Sequence, residues 1–315
     1  MTPFRIGTRG SRLALAQSHW VRDELRRAHP DLKFELVEIR TTGDRIRDVP
    51  LLPEHGSSFF TKEIEDALIA GRIDVAVHSC KDLATRLPEG LILAAFPPRV
   101  DARDVLVSRL GALQDLPHGA SVGTSSMRRQ GFVSLARPDL EVLPVRGNVP
   151  TRVAAVDEGR MTAVVLAAAG LIRLGLDHRI TSFIDPEQML PAAGQGALAL
   201  EVRSDDQRAV DLVTVLDDTH TRAAVECERS CLRTLEAGCQ SPVGAWARMT
   251  DAGVTLDARI VAPDRDIRAS GSAPISDAEV LGERTARTIL AQLGVDSLSD
   301  VDWAGPPPAS KDGRP

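Results

Sequence analysis

The sequence lacks the features of membrane-spanning, secreted and nucleic-acid-binding proteins. Its 315 residues contain no apolar run of 18, so we predict no membrane-spanning helix and no membrane partner. No basic stretch followed by an apolar stretch opens the chain, which argues against a secretory leader. The net charge of −6 argues against a general basic surface, and we predict no nucleic-acid partner.

Cysteine and histidine are present, but they lack the spacing of a metal site. The four cysteines are Cys80, Cys227, Cys231 and Cys239, and no two of them form a C-x-x-C pair. The seven histidines contain no H-E-x-x-H motif and no paired spacing. We therefore predict no metal site. Because the chain has neither a leader nor a disulfide framework, we expect a cytoplasmic protein.

Cys239 has the most unusual setting of the four thiols. It lies in Leu235-Glu-Ala-Gly-Cys-Gln-Ser-Pro-Val-Gly-Ala245, directly after a helix-like stretch. Gly238 permits a sharp turn and Pro242 prevents a return to helix, so we expect the thiol on a loop where it can be modified. The alternative is a small buried side chain, which is the usual environment of a free cysteine.

The N-terminal part of the chain alternates strands with helices. The predicted strands are 4–8, 34–40, 74–79 and 91–96, and the predicted helices are 11–29 and 61–70. Ser11 is the expected N-cap of the first helix, whose apolar stripe runs from Leu13 and Ala14 to Leu25. This order predicts an α/β domain with a largely parallel sheet.

Two further units follow in the sequence. The second is again α/β, with strands near Val105, Val122, Val142 and 163–166 and helices that start near Ser126 and Thr151. A strand at 194–202 is expected to return the chain to the first domain. The last unit is α+β, with a helix before the Cys239 loop, strands at 243–248, 255–261 and 267–270, a hairpin turn at 251–253 and a helix at 277–293. Residues 305–315 are expected to be disordered.

One local design occurs twice. The segments Ile6-Gly-Thr-Arg-Gly-Ser-Arg12 and Val122-Gly-Thr-Ser-Ser-Met-Arg-Arg129 each join a strand end to a serine that can cap a helix, with arginine at the junction. Helix N-termini offer free N–H groups and a favourable dipole, and arginine binds carboxylate or phosphate through two parallel bonds. Lys81, Arg146 and Arg152 also lie beside Gly, Ser or Thr in expected loops. This shared setting predicts a common anionic ligand.

The segment His78-Ser-Cys-Lys-Asp82 follows a buried-looking strand. Ligands of open α/β sheets bind beyond the carboxyl ends of strands, so we expect this segment at a cleft. Asp82 beside cationic partners there would stay ionised, and it could stabilise a cation or pass a proton. The alternative is an ordinary surface pair of Lys81 with Asp82.

An ordered set of segments resembles the porphobilinogen deaminase family, also called the hydroxymethylbilane synthases, of tetrapyrrole biosynthesis. The segments follow the family's order and cover nearly the whole chain. They are Thr8-Arg-Gly-Ser11, Ala76-Val-His-Ser-Cys-Lys-Asp82, Val122-Gly-Thr-Ser-Ser-Met-Arg-Arg-Gln130, Val145-Arg-Gly-Asn148 with Thr151-Arg152, Leu166-Ala-Ala-Ala-Gly-Leu-Ile-Arg-Leu-Gly175, Leu190-Pro-Ala-Ala-Gly-Gln-Gly196 and Leu235-Glu-Ala-Gly-Cys-Gln240.

The resemblance implies a monomer of three domains. Two periplasmic-binding-protein-like α/β domains would enclose a cleft, and a smaller α+β domain would carry Cys239. The corresponding ranges are 1–97 with 197–216 for the first domain, 102–193 for the second and 219–303 for the third, followed by a flexible tail at 304–315.

The resemblance also implies a transferase. The family adds four porphobilinogen units head to tail, with loss of ammonia, to a dipyrromethane cofactor, which a thioether to Cys239 would hold. Water then releases hydroxymethylbilane. Porphobilinogen carries acetate and propionate groups, so the growing chain accumulates carboxylates, and an acidic protein must supply a local set of cations.

Family roles carry over to matching residues of this chain. Asp82 would bond pyrrole N–H groups and stabilise the azafulvene-like cation that remains when ammonia leaves. The residues implied to hold the cofactor are Ser79, Lys81, Thr124, Ser125, Ser126, Arg128, Arg129, Arg146 and Arg152. The residues implied to bind the incoming substrate are Arg9, Ser11, Gln17, Arg173 and Gln195.

The chain departs from the family in one loop. Where the family commonly has a lysine just before its Leu-Phe pair, this chain has Ser57 in His55-Gly-Ser-Ser-Phe-Phe60. The resemblance therefore does not extend to a cationic contact from this loop, and Lys62 on the following helix is not taken as a replacement. The length of the loop and its glycine are typical of a mobile lid.

Two other functions fit parts of the sequence. A non-catalytic, two-lobed anion-binding protein would use the same lobes and arginines, but it gives no reason for Gly-Cys-Gln or for Asp82 in a cleft. A hydrolase with a cysteine nucleophile would need a histidine base. The histidine nearest to Cys239 in sequence, His220, lies on the far side of a predicted helix start.

Overall fold

The computed structural model of the chain describes residues 2–41, 61–237, 241–262, 265–301 and 303. Cys239, the loop that contains Ser57, and the predicted tail lie outside the described residues. Within these ranges the strands form three separate sheets, each with its own helices. The predicted fold class, two sheet-plus-helix domains and a smaller C-terminal domain, is confirmed. The exact limits of the domains stay a prediction.

The chain begins with an α/β unit that we call lobe 1. Its first elements are β1 (Phe4–Arg9), α1 (Arg12–Ala28), β2 (Phe34–Ile39), α2 (Lys62–Ile69), β3 (Val75–Ser79) and β4 (Leu91–Ala95). Ser11 is the N-cap of α1, as predicted, because its side chain accepts a hydrogen bond from the Ala14 amide at 3.2 Å. The apolar stripe of α1 divides: Val21 and Leu25 pack in the core, whereas Leu13 lines a pocket.

Residues 96–103, the first crossing, lead to a second α/β unit, lobe 2. Its elements are β5 (Asp104–Ser108), β6 (Ser121–Gly123), α3 (Met127–Ala136), β7 (Glu141–Leu143), α4 (Val149–Asp157), β8 (Ala163–Ala167), α5 (Ala168–Arg173) and β9 (Ser182–Phe183). Ser126 occupies the N-cap position of α3, but its side chain makes no cap hydrogen bond to a described residue. The prediction for α4 was two residues late because Asn148, whose side chain accepts from the Thr151 amide at 3.0 Å, is its N-cap.

Residues 184–197, the second crossing, return the chain to lobe 1 through β10 (Leu198–Arg203) and α6 (Gln207–Thr214). The strand order is β2-β1-β3-β10-β4 in lobe 1 and β7-β6-β8-β5-β9 in lobe 2. Among the described strands of each sheet, four run in one direction, and the first strand after a crossing runs against them. The predicted, largely parallel sheets are therefore confirmed, with β10 and β5 as the opposed strands.

The opposed strands bring both crossings to the carboxyl ends of the parallel strands. Leu198 at the start of β10 pairs with Ser79 at the end of β3. The crossings also touch each other, because the Val100 amide donates to the Gly196 carbonyl at 3.2 Å. Gly196 has a φ of +88°, and a Cβ there would lie 2.5 Å from the Val100 carbonyl oxygen, so glycine is required. Both lobes thus present the carboxyl ends of their parallel strands, where ligands of such sheets bind, to the two crossings. We call the two crossings together the hinge.

The C-terminal unit, domain 3, consists of helices packed on an antiparallel sheet. Its elements are α7 (Thr219–Leu235), β11 (Val243–Thr250), β12 (Gly253–Ala262), β13 (Arg265–Ala273) and α8 (Ala278–Leu293). Thr250 pairs with Gly253, which confirms the predicted hairpin turn. Cys227 and Cys231 of α7 lie in the apolar core of this domain, together with Leu256 and Ile289.

One carboxylate joins domain 3 to both crossings. Glu228 of α7 is fully buried and accepts hydrogen bonds from Arg99 of the first crossing at 2.6 and 3.2 Å. It also accepts from the Gly194 amide of the second crossing at 2.6 Å and from the Ala247 amide of β11 at 2.8 Å. Arg99 in turn donates to the Gln195 carbonyl at 2.8 Å. Domain 3 is therefore attached to the hinge itself.

We expect Glu228→Gln to lower the free energy of unfolding by about 3–5 kcal/mol, because Arg99 would be left buried without its negative partner. Glu226→Gln on the same helix is the control. Its side chain is 35% exposed and pairs with Arg222 at 3.0 Å, so the expected loss is about 0–1 kcal/mol. Urea denaturation of both variants measures the difference. Equal losses in the two variants would contradict the role of Glu228.

Candidate functional site

Two adjoining pockets lie at the carboxyl ends of the strands, and together we call them the cleft. The first pocket includes Arg9, Ser11, His78 and Asp82 of lobe 1. The second lies between the lobes and includes Lys81, Arg129, Arg152, Arg173 and Gln195. Leu13, Gln17 and Ser79 line both pockets. The pockets therefore form one continuous binding region.

The end of β3 places the predicted catalytic segment in the cleft. Gln17 of α1 is buried and donates to the Ser79 hydroxyl at 2.8 Å, which holds the helix against the strand end. A single 3-10 turn follows at Cys80–Asp82. This turn leaves Asp82 exposed on the first pocket and directs Lys81 to the second pocket. The predicted position of Asp82 beside cationic groups is thus what the structure shows, since its charge acts on Lys81 and Arg152.

The cleft carries an excess of positive charge. Five of its lining residues are cationic, namely Arg9, Lys81, Arg129, Arg152 and Arg173. Among the described lining residues, Asp82 is the single acid. Such a charge balance favours a ligand with several negative groups.

Arg152 and Arg173 lose solvation without gaining a carboxylate partner. Burial lowers the pKa of each guanidinium to about 10, and the nearby charge of Arg129 adds to the effect on Arg152. Arg152 donates to the Gly147 carbonyl at 2.8 Å and Arg173 to the Gly196 carbonyl at 2.9 Å. Within the described ranges no ion pair joins either one to a carboxylate. A bound carboxylate would offset this desolvation, so these side chains fit an anionic cofactor or substrate.

Lys81 is the cleft cation whose charge depends most on pH. Burial and, to a smaller extent, the positive charge of Arg129 lower the pKa of its ammonium group to about 8, against the opposing effects of Asp82 and Asp104. Its Nζ donates to Gln195 Oε1 at 3.4 Å. As the pH rises through about 8, the cleft therefore loses one positive charge.

Asp104, which the sequence analysis missed, organises the arginines of lobe 2. Its fully buried carboxylate accepts from Arg128 at 2.7 Å, from Arg129 at 2.8 and 3.0 Å, and from the Gln195 amide at 3.0 Å. Burial raises the pKa of this carboxyl group, but the two guanidinium groups more than offset that effect and hold it well below its usual range. The sequence signal that could have found Asp104 is an acid at the start of the apolar strand 105–107.

Gln195 is an internal connection rather than an exposed group. Its side chain is fully buried and also donates to the Ala102 carbonyl at 2.7 Å. Its Oε1 accepts from Lys81 of lobe 1 and, at 3.5 Å, from Arg129 of lobe 2. Gln195 thus links both lobes to both crossings.

The structure brings most of the predicted site residues together, but not all of them. Arg9, Ser11, Gln17, Ser79, Lys81, Asp82, Arg129, Arg152, Arg173 and Gln195 line the cleft. Arg128 is buried between Asp104 and the Leu190 carbonyl, to which it donates at 2.7 Å, and it is not among the described lining residues. The other predicted ligands, Thr124, Ser125, Ser126 and Arg146, are likewise outside the lining set. The roles of all these residues stay predictions.

The described cysteines are poor candidates for chemistry. Cys80, Cys227 and Cys231 are free and buried. Burial raises the pKa of Cys80 to about 11 and that of Cys227 to about 12, and it raises the pKa of Cys231 as well. These thiols stay protonated at neutral pH, so none of them is an activated nucleophile.

The described helices also include none that is long and apolar enough to cross a membrane.

Comparison with known proteins identifies relatives over nearly the whole chain. A family model for the porphobilinogen deaminase dipyromethane cofactor binding domain matches residues 4–211, and one for the porphobilinogen deaminase C-terminal domain matches residues 222–291. The porphobilinogen deaminase of Desulforudis audaxviator is 50% identical over 299 residues, which cover 94% of this chain and 97% of the relative. That of Syntrophobacter fumaroxidans is 47% identical over 290 residues, covering 91% and 94%.

Likeness to solved structures is weaker. The substrate binding protein of an amino acid ABC transporter is 13% identical, with a TM-score of 0.37 over 68% of this chain and 91% of that protein.

The charge of Arg129 lowers the pKa of Lys81, and the charge of Asp104 raises it. Substitutions that remove these two charges should therefore move this pKa in opposite directions. We expect Arg129→Met to raise it and Asp104→Asn to lower it, each by about half a unit to one unit. NMR titration of [¹³Cε]lysine-labelled protein without a bound anionic ligand follows the group directly, and Lys81 with its native neighbours should titrate near pH 8. Titration of Lys81 above pH about 10, as for an exposed lysine, would contradict this environment.

Proposed function

The chain belongs to the porphobilinogen deaminase family, and from this premise we propose that it joins four porphobilinogen molecules head to tail. Each addition releases ammonia, and hydrolysis finally releases hydroxymethylbilane. The protein is then a transferase of tetrapyrrole biosynthesis. The observation that carries this proposal is a cleft with five cationic side chains around one exposed carboxylate.

The charge of the cleft suits this substrate. Each porphobilinogen brings an acetate and a propionate group, so a growing product accumulates negative charge. Arg152 and Arg173 offer desolvated guanidinium groups that bind carboxylates through paired N–H bonds. We assign Arg9, Ser11, Gln17, Arg173 and Gln195 to the substrate side, as the resemblance implies. For Gln195 the assignment is indirect, because its amide positions Lys81 and Arg129.

A dipyrromethane cofactor fits the other half of the cleft. Lys81, Arg129 and Arg152 would bind its carboxylates, with Ser79 as a hydrogen-bonding neighbour. When bound, the group supplies the free pyrrole carbon to which the first substrate unit is joined. Arg128 would contribute its charge without contacting the pocket, because Asp104 holds it beside Arg129. The remaining assigned contacts are Thr124, Ser125, Ser126 and Arg146.

We assign the attachment of the cofactor to Cys239. Its loop matches the family segment Leu235-Glu-Ala-Gly-Cys-Gln240. The three described cysteines are buried and protonated, which supports the choice of the fourth. The thiol would be used once, to hold the primer, and would not react again in each cycle.

Asp82 is the proposed catalytic residue. Its carboxylate is exposed to the first pocket, where the other charged residue among the described lining residues is Arg9. Loss of ammonia from the substrate leaves positive charge on the pyrrole and its methylene carbon. A fixed carboxylate facing this charge stabilises the transition state more than the ground state. Asp82 would also accept hydrogen bonds from the pyrrole N–H groups.

We further propose a cytoplasmic monomer that binds no nucleic acid. Three buried, unpaired cysteines are consistent with a reducing compartment. The net charge of −6 disfavours polyanion binding outside the cleft. The separate hypotheses of an anion-binding protein and a cysteine hydrolase lose their support, because neither explains why the chain belongs to this family.

Intact-mass measurement tests the attachment of the cofactor. Purified wild-type protein should exceed the mass of its polypeptide by two linked pyrrole units, and Cys239→Ser should lack this increment. Cys227→Ala is the control, because this core thiol should not affect the modification. An active wild-type protein with an unmodified mass would falsify the proposed function.

Asp82→Asn should reduce kcat by about 10²–10³-fold, because the amide preserves the shape of the side chain but removes the charge that faces the developing cation. The pyrrole increment on the purified protein should remain, which separates catalysis from folding. Asp205→Asn is the control, since Asp205 is exposed beyond the end of β10 away from the second crossing. A kcat of Asp82→Asn within twofold of wild type contradicts the assignment.

A further inference from the structure

A buried histidine–carboxylate pair lies in lobe 1, on the face of the sheet covered by α2. His78 belongs to β3 and Glu201 to β10, and Glu201 is the register partner of Ala76. Because side chains alternate along a strand, His78 shares its face with Ala76 and hence with Glu201. The pair is thus built by the strand that returns from lobe 2.

The geometry of the pair fixes the imidazole ring. His78 Nε2 lies 3.0 Å from Glu201 Oε2, and the side chains are 5% and 0% exposed. The other oxygen, Oε1, is buried without a hydrogen-bond partner among the described residues. An ionised carboxylate can only accept, so in the neutral ring Nε2 carries the proton and Nδ1 is the free acceptor.

The charged groups around His78 come from several elements. Glu201 faces it from β10 and Glu65 from α2, while Arg9 and Asp82 line the same pocket. Burial raises the pKa of the Glu65 carboxyl group, and the Glu201 carboxylate raises it further. Glu201 remains the partner that can stabilise an imidazolium.

His78 also reaches the site where the chemistry occurs. It lines the first pocket together with Asp82, although its side chain is nearly buried. The roles proposed above use Asp82 to stabilise positive charge and leave His78 without a function. A carboxylate-oriented imidazole at the wall of a substrate pocket is the arrangement of a general base.

We propose that His78, oriented by Glu201, accepts the proton released at each addition of porphobilinogen. This inference rests on the proposed function. The aminomethyl group enters as an ammonium, and its C–N bond breaks with the electron pair moving to nitrogen, so ammonia leaves without further protonation. The new C–C bond replaces a C–H bond at the pyrrole α carbon of the acceptor. The proton from that C–H bond goes to His78 Nδ1, and from there to solvent.

This division of labour has an electrostatic reason. Asp82 stabilises the cation best if it stays ionised, and a proton taken by Asp82 would cancel that effect. A second acceptor keeps the two tasks apart. Glu201 makes His78 suitable because the imidazolium that forms is paired at once with a buried carboxylate.

His78→Gln tests the proposal, because its amide can still donate to Glu201 but cannot accept a proton. We expect kcat to fall by about 10²-fold or more, with KM within about twofold of wild type. The decline of kcat toward acid pH in wild type should be absent from the variant. Glu201→Gln should reduce kcat less, by about tenfold, and should move that decline in pH.

His29→Gln is the matched control. His29 also bonds through Nε2, to the Leu212 carbonyl at 3.0 Å, but it lies at the C-terminal end of α1, outside the cleft. Its kcat and pH profile should be those of wild type. If His78→Gln matches this control in both, the pair only ties β3 to β10 and the proposal is overturned.

A second test uses the wild-type holoprotein, so its result does not depend on whether the substituted variants fold. In ¹⁵N spectra of histidine-labelled protein, the neutral His78 ring should show a protonated Nε2 and an unprotonated Nδ1. A protonated Nδ1 in the neutral ring would overturn the proposal, since Nδ1 would then have no lone pair with which to accept the proton. If wild-type protein instead lacks the pyrrole increment and does not turn over porphobilinogen, the proposed function itself fails.

Discussion

The buried carboxylate of Asp104 decides how much positive charge the cleft can hold. It neutralises part of the charge of Arg128 and Arg129, and its hydrogen bond to Gln195 joins them to the hinge. Because one carboxylate serves two guanidinium groups, the region remains cationic after the fold is complete. Lys81 and Arg152 lie beside this remaining charge, and burial together with the charge of Arg129 lowers the pKa of both. The cleft thus keeps positive charge that no carboxylate among the described residues neutralises, and a ligand with several carboxylates would neutralise it.

The hinge gives this charge its position. Two opposed strands, β5 and β10, begin beside the carboxyl ends of parallel strands, so each crossing delivers its residues directly to the cleft. Glu228 of domain 3 then holds both crossings through three N–H donors, two from Arg99 and one from the Gly194 amide. The domain that carries Cys239 in its sequence is therefore connected to the same hinge that carries Gln195. The second crossing therefore contacts both lobes and domain 3.

The sequence could predict the features that depend on local rules. Asp82 and Lys81 follow an apolar strand, and the carboxyl-end rule places such residues at a cleft. Ser11 caps α1 because its position before the helix is visible in the sequence. The pairs that organise the site were not predictable in this way, since Arg128 and Asp104 are 24 residues apart and His78 and Glu201 are 123 apart. Only the fold brings such acids to these partners: the position of Asp104 before an apolar strand could mark it as unusual, but it does not indicate which arginines it meets. The position of Cys239 on a loop and the comparison at Ser57 rest on the sequence, because both residues lie outside the described residues.

The place of β10 in the sheet also determines the order in which the protein can be assembled. Lobe 2 completes its sheet from one continuous stretch, from Asp104 to Phe183. Lobe 1 cannot, because β10 lies between β3 and β4 and follows the whole of lobe 2 in the chain. During synthesis, β3 and β4 have no strand between them until β10 is made about a hundred residues later. The nascent lobe 1 therefore exposes unpaired backbone groups until lobe 2 has emerged. The inserted lobe is thus the unit that can fold first on the ribosome, and the lobe that contains Asp82 is completed after it.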